Sequence, residues 1–324
     1  MKKFDAVALG ELLIDFTDNG VSEQGNPILE ANPGGAPCNV LAMLNRLGKN
    51  TAFIGKVGDD RFGHMLKDVV KESGTDVTNL ITDSSAHTTL AFVHTMEGGE
   101  REFSFYRDPG ADMLLTAGEV REDIITASRL FHFGTLSSTH DGVRAATRYA
   151  IDVAEKNGLL ISFDPNLREP LWKSLDDARR EIEYGLSHCN ILKISDNELE
   201  FMTGTDNYDE GIRILRGRFD IDLIFLTLGS SGSRAFYKDI SAEAPSFNEV
   251  TPIEKTGAGD TFAGCALSRV LDYGMENITE DRLKELLVFA NAGATLVTAR
   301  KGALKVMPQE EEINDLIKRY SYGR

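Results

Sequence analysis

The chain has 324 residues, of which 41% are hydrophobic and 27% charged, with a formal net charge of −16. That length buries a large core in one large α/β domain or two ordinary ones. A surface this acidic repels phosphate backbones and anionic lipid, which excludes nucleic-acid and membrane partners. An anionic small molecule then needs a local device: a helix N-terminus, a metal ion or a few placed basic residues.

The opening MKKFDAVALGELLIDF sets two lysines before apolar residues, as a secretory leader does, but Asp5, Glu11 and Asp15 interrupt the run. Phe4 to Leu9 therefore reads as a strand closed by Gly10. Val40, Leu41, Leu44 and Leu47 make one helix face over Pro37 to Leu47, with Gly48 as C-terminal cap. Thr51 to Val57 reads as the next strand and Phe62 to Ser73 as a helix ended by Gly74. Thr88 to Thr95 and Glu100 to Tyr106 are β-prone runs joined by Met-Glu-Gly-Gly, a hairpin signal, and Gly20 to Ala31 is similarly short, polar and turn-rich. With no helix in sequence to cover them, both read as a small flap projecting from the main sheet. Beyond residue 110 strands and helices alternate, which predicts a largely parallel sheet. Helices are predicted at Asp141 to Asn157 and Asp176 to Ser187, and strands at Leu159 to Phe163, Ile191 to Ile194 and Asp222 to Leu228. Gly259 to Tyr273, Glu280 to Thr298 and Gln309 to Tyr320 read as three closing helices. No run approaches the roughly 18 apolar residues of a membrane span. Cys38, Cys189 and Cys265 are far apart and odd in number, so the expectation is no disulfide framework and a reducing, cytoplasmic compartment.

Three segments carry chemistry. In Lys255-Thr256-Gly257-Ala258-Gly259-Asp260-Thr261-Phe262-Ala263-Gly264 a small-residue turn leads into a helix. Open amides and the helix dipole there make an anion hole, and Asp260 at its edge is placed to take a proton from an attacking hydroxyl. The competing reading is an ordinary N-cap aspartate after turn glycines. Pro33-Gly34-Gly35-Ala36-Pro37-Cys38-Asn39 opens another helix; Asn39 offers a donor and an acceptor to sugar hydroxyls, or is a surface residue after a tight turn. Asp15 follows the first strand, where open α/β sheets bind ligands, and suits two neighbouring hydroxyls of a polyol; a solvated loop aspartate is the alternative.

Taken together with Thr227-Leu228-Gly229-Ser230-Ser231-Gly232, these segments resemble the ribokinase-like (PfkB) carbohydrate kinases from Gly10 to about Pro308. Phe103 to Asp112, Phe163 to Trp172 and Lys193 to Glu198 are similar to the bacterial fructokinase branch. The resemblance implies one doubly wound, mostly parallel α/β domain over 1–324. A β-sheet lid is inserted at about 12–32 and 87–108, through which such chains often dimerise. It implies ATP-dependent phosphorylation of a sugar, D-fructose to fructose 6-phosphate before others. Asp15, Gly34, Gly35 and Asn39 would hold sugar hydroxyls, and Arg107 and Arg168 would face sugar and phosphates. Asp260 would be the base, and the amides of Gly257, Ala258 and Gly259 the anion hole. Lys193, Ser195 and Glu198 would lie near the phosphates and Mg²⁺, with Thr227, Gly229, Gly232 and Asn291 shaping the nucleotide site. Ser195 departs from the family's usual Asn-x-x-Glu, so Mg²⁺ would be reached from Glu198 through water. Some members bind a monovalent cation, which for K⁺ maps to Glu254, Thr256, Val297 and Gly302. The rival acceptor is 2-keto-3-deoxygluconate, for which Arg107 and Arg168 would supply cations; ribokinase and nucleoside kinases fit less well. A non-catalytic sugar-binding regulator is the alternative of another class. A dinucleotide oxidoreductase fails because no GxGxxG follows the first strand.

Overall fold

The protein is described by a computed structural model covering residues 2–95, 101–248 and 250–322. The first half of the chain forms β1 (Phe4–Leu9), β2 (Leu13–Val21), β3 (Pro27–Gly34), α1 (Ala36–Arg46), β4 (Thr51–Gly58), α2 (Arg61–Glu72), β5 (Asp76–Asp83), β6 (Leu90–Thr95), β7 (Arg101–Tyr106), α3 (Glu122–Thr126), β8 (Ser128–Gly134) and α4 (Asp141–Lys156). It continues with β9 (Leu160–Asp164), α5 (Leu175–His188), β10 (Ile191–Ser195), α6 (Asp196–Thr203), α7 (Tyr208–Arg218), β11 (Leu223–Thr227), β12 (Ser233–Tyr237), β13 (Ile240–Ala244), α8 (Ala258–Tyr273), α9 (Glu280–Thr298) and α10 (Glu310–Tyr322).

Nine strands form the main sheet in the order β13-β12-β11-β10-β9-β8-β1-β4-β5. All neighbours from β11 to β5 pair parallel, and β12 and β13 close one edge antiparallel. The parallel strands are apolar along their length because helices cover both faces. Successive residues serve opposite cores: Ala6 and Ala8 of β1 pack with α1, α8 and α9, while Val7 and Leu9 pack with α4. Helix α1 is buried from Pro37 to Leu44 because it is wedged between the sheet and α8. The two helices approach closely at Gly264, where a Cβ would lie 2.6 Å from that of Met43.

A second sheet has four strands in the order β3-β2-β6-β7. It is less isolated than its sequence predicts. Phe16 of β2 meets Phe62 of α2 edge-on at 5.6 Å and stacks on Phe92 of β6 at 5.1 Å, so a helix from the main body covers its base. The Met-Glu-Gly-Gly segment expected to close the β6–β7 hairpin lies outside the described residues. The sequence reading passes over β5, β8, β12, β13, α3, α6 and α7. β5 (DVTNLITD) is a polar edge strand, and Arg129 and His132 break the apolar run of β8. Helices α6 and α7 are short and charged, and are held by their caps: Ser195 accepts from the Glu198 amide and Asn207 from that of Glu210. Because the central strands run parallel, the segments after β1, β9, β10 and β11 emerge along one edge, where α1 and α8 also begin.

Candidate active site

A cleft of about 670 Å³ follows that edge. Its middle is the start of α8. Gly257 caps the helix in the left-handed conformation (φ 76), and Thr261 pins the turn by donating to the Gly257 carbonyl from its amide at 2.8 Å and its hydroxyl at 2.7 Å. The amides of a first helical turn lack intrahelical acceptors and carry the positive end of the dipole, and Gly257, Ala258 and Gly259 line the cleft here. The Ala258 amide makes a long bond, 3.4 Å, to the Lys255 carbonyl.

Asp260 stands in this turn, half-buried and lining the cleft. Its Oδ2 accepts from the Asn39 Nδ2 at 2.7 Å. Burial raises its pKa above the ordinary aspartate value, against the Asn39 hydrogen bond and the charges of Lys193 and Arg168. Asn39 thus spends one amide N–H on Asp260, and its Oδ1 is buried without a partner in a residue that lines the cleft. Gly35 makes this geometry accessible, since at φ 132 a side chain there would run into the Glu11 carbonyl.

Lys193 of β10 approaches from the opposite wall. Its Nζ pairs with Asp164 at 3.1 Å and lies 3.2 Å from where a Cβ on Gly259 would stand, so the ammonium abuts the helix start. Burial would lower its pKa, but Asp164, Glu198 and Asp260 together raise it. Asp164 is pushed up to about 6 by burial, with Lys193 opposing and Glu198 and Asp260 adding to the rise. Both partners of the pair therefore shift upward, Asp164 chiefly through burial and Lys193 because its ammonium is shared among three carboxylates. Glu198 moves down: burial raises it, but Lys193 and the amides of Ser195 and Leu167 outweigh that. Ser195 and Glu198 form a reciprocal capping box on α6, so the Ser195 hydroxyl is engaged at 2.8 Å by its own helix. Asn166, at φ 44, turns the Asp-Pro-Asn-Leu-Arg segment so that Arg168 lines the cleft.

At one end of the cleft Asp15 leans across Gly34, where a Cβ would collide with its carboxylate; Gly35 lines the cleft and Gly34 does not. Arg107 is displaced from its expected place. Its guanidinium is buried behind the wall and held by Asp112 (2.8 Å from Nε), Thr139 (2.7 Å) and the Leu136 carbonyl (3.0 Å). At the other end lie Thr227, Gly229 and Gly232 beside the apolar Phe247, Val250 and Pro252. Asn291 lines this end too, but its amide donates to the Ala244 and Pro245 carbonyls (2.9 and 3.2 Å) and accepts from Ser233 (2.9 Å). It fastens the wall. Glu254 and Gly302 meet below the turn, the Gly302 amide donating to the Glu254 carboxylate at 2.9 Å, and the Thr298 carbonyl accepts from the Ile253 and Glu254 amides.

Sequence reasoning missed Glu11, Phe105, Asn166 and Lys255, which line the cleft, and Asp164, which pairs with Lys193 at its wall. Asp164 had a signal, an acid closing an apolar strand at its carboxyl end; Asn166 had none. Among the described residues no three His, Cys, Asp or Glu side chains are grouped to hold a metal directly. The donors present suit a hard ion carried mainly by phosphate and water, and Glu198, which lines the cleft, would be the carboxylate to reach it through water.

A model of the pfkB family carbohydrate kinases matches residues 3–310. The probable fructokinase-4 of Arabidopsis thaliana is 41% identical over 314 residues, 96% of each chain. A fructokinase from Xylella fastidiosa with bound ATP superposes with a TM-score of 0.88 at 28% identity, covering 98% of this chain and 99% of that one. A Vibrio cholerae O395 fructokinase with fructose, ADP and calcium does so at 0.86 and 28%, over 97% and 99%. With the family model matching residues 3–310 and relatives at 41% identity over nearly the full length, the chain belongs to the pfkB family of carbohydrate kinases.

Proposed function

We propose that the protein transfers the γ-phosphoryl group of ATP to the 6-hydroxyl of D-fructose. The observation that carries this reading is the Asn39–Asp260 hydrogen bond at the mouth of the α8 turn, with Lys193 against the same turn. Phosphoryl transfer asks the protein for alignment and charge stabilisation more than covalent chemistry. The amides of Gly257, Ala258 and Gly259, with Lys193 and Arg168, face the charge that develops on the migrating group. Asp260 accepts the hydroxyl proton; burial raises its pKa, which makes its carboxylate a stronger base. Asp15 and Gly35 hold the sugar, and Thr227, Gly229, Gly232 and the Phe247–Val250 slot hold the nucleotide. Mg²⁺ would supply charge neutralisation on the phosphates, and Glu198 would hold it through water. A monovalent cation such as K⁺ would find oxygen donors around Glu254, Thr256, Val297 and Gly302.

Fructose is favoured over 2-keto-3-deoxygluconate by Arg107. With its guanidinium spent on Asp112, Thr139 and Leu136, the second cation for a sugar carboxylate is missing. A purely regulatory role has no use for a base held this way. In this reading the small sheet is the lid that excludes water. Its exposed Val21, Ile28, Leu29 and Tyr106 suit pairing with a second copy. ADP release measured with fructose, 2-keto-3-deoxygluconate, ribose, glucose and adenosine tests the proposal. Fructose should give the highest kcat/KM; no turnover with any of the sugars would remove it.

A further inference from the structure

Glu11 is 3% exposed, yet it lines the cleft between Gly10 and the start of α1. Burying a carboxylate is costly unless donors replace the lost water. Two backbone amides face it, that of Ala36 at 2.8 Å and its own, where a carboxylate has room for about four donors. Among the described residues no side chain donates to it. The charged or titratable groups around it are Arg107 and Asp112, from the segment after β7, and Cys38 on α1. Arg107 attracts it electrostatically without a hydrogen bond, because its guanidinium is committed to Asp112, Thr139 and the Leu136 carbonyl. The Ala36 bond fixes the side chain, and Asp15 presents a second carboxylate four residues on at the same end.

We propose that Glu11 is a direct ligand of the acceptor sugar, the carboxylate oxygen not held by the Ala36 amide accepting a hydroxyl that no side chain among the described residues supplies. This rests on the sugar-kinase reading and adds to it a residue that fixes which polyol is accepted. A hydroxyl held by a carboxylate is a charge-assisted bond, stronger than one to a neutral acceptor. Burial raises the Glu11 carboxyl to about 7, so the anionic acceptor gains population between pH 6 and 8.

The test is steady-state kinetics of the full chain with fructose and ATP at pH 6, 7 and 8, for wild type and Glu11→Gln. The glutamine keeps an oxygen for the Ala36 amide and loses the anion. The wild-type fructose KM should fall as pH rises. In the variant it should be raised about tenfold or more at pH 8 and be flat with pH, as expected for a lost bond to a charged group. Variant kcat and KM for ATP should stay within about threefold of wild type. A wild-type fructose KM that does not change with pH would overturn the inference without reference to any variant. So would a variant whose fructose KM matches wild type, or whose kcat falls as far as its KM rises. Wild type that phosphorylates fructose while failing these tests loses only the Glu11 assignment; wild type that phosphorylates no sugar loses the function itself.

Discussion

At the scale of single residues, the proposed chemistry centres on the hydrogen-bonded pair Asn39–Asp260. Asp260→Asn keeps the shape and removes the base, so kcat should fall by about a hundredfold or more with fructose KM nearly unchanged. Turnover close to wild type in steady-state assays would take Asp260 out of that role. Asn39 acts through Asp260: its hydrogen bond is the first force opposing the burial that raises the carboxyl. Asn39→Ala should therefore move the acidic limb of the kcat–pH profile to higher pH, because Asp260 then ionises later. An unshifted limb would show that the bond does not tune the base. Ser195 belongs to a helix cap before anything else. Ser195→Ala should cost about 1 kcal/mol of stability in denaturant melts, the usual loss for an N-cap.

At the scale of elements, the Asn39–Asp260 distance is set by how closely α1 and α8 pack. Gly264 lies one turn beyond Asp260, and Met43 one turn beyond Asn39. A side chain at 264 would meet the Met43 Cβ at 2.6 Å and the Val40 carbonyl at 3.0 Å. Gly264→Ala should then destabilise by about 1–3 kcal/mol, as overpacking does, and lower kcat more than KM by spreading the helix starts. Wild-type kcat in a destabilised Gly264→Ala would break that link. This level also shows what the sequence makes legible. Small-residue turns before helices announce themselves, since a glycine pair followed by a periodic apolar face has few other uses. The strands of the buried sheet announce themselves because apolar faces on both sides leave continuous runs. The β12–β13 edge hairpin and α6 do not, because their order comes from pairing and capping and not from periodicity. Arg107 lies away from its expected place for a related reason: residue type suggests a ligand contact, but buried neighbours decide where the donors go. Glu11 gives no signal in a loop that also reads as the end of a strand.

At the scale of the whole molecule, the cleft's buried acids tie stability to pH. Glu11 is raised from 4.5 to about 7 and Asp164 from 3.8 to about 6. A carboxyl whose folded pKa is raised binds its proton more tightly in the native state. Its contribution is therefore full below the unfolded pKa and is lost as pH rises through the folded one. The unfolding free energy should decline between about pH 4.5 and 7, by up to about 1.4 kcal/mol per pH unit for each proton involved. Denaturant melts should show a shallower decline for Glu11→Gln; equal slopes would mean that Glu11 does not carry this linkage. The substrate end of the cleft is thus less stable than it would be with neutral side chains, as expected where charge is stored for a ligand.

The hydrogen bond between Asn39 and Asp260 joins positions 221 residues apart. During synthesis the half of the site on α1 leaves the ribosome long before α8 exists, so on the proposed reading a polypeptide that stops short of α8 has no base. Prematurely terminated products should then transfer no phosphoryl group, because the two halves of the pair are held by distant parts of the chain.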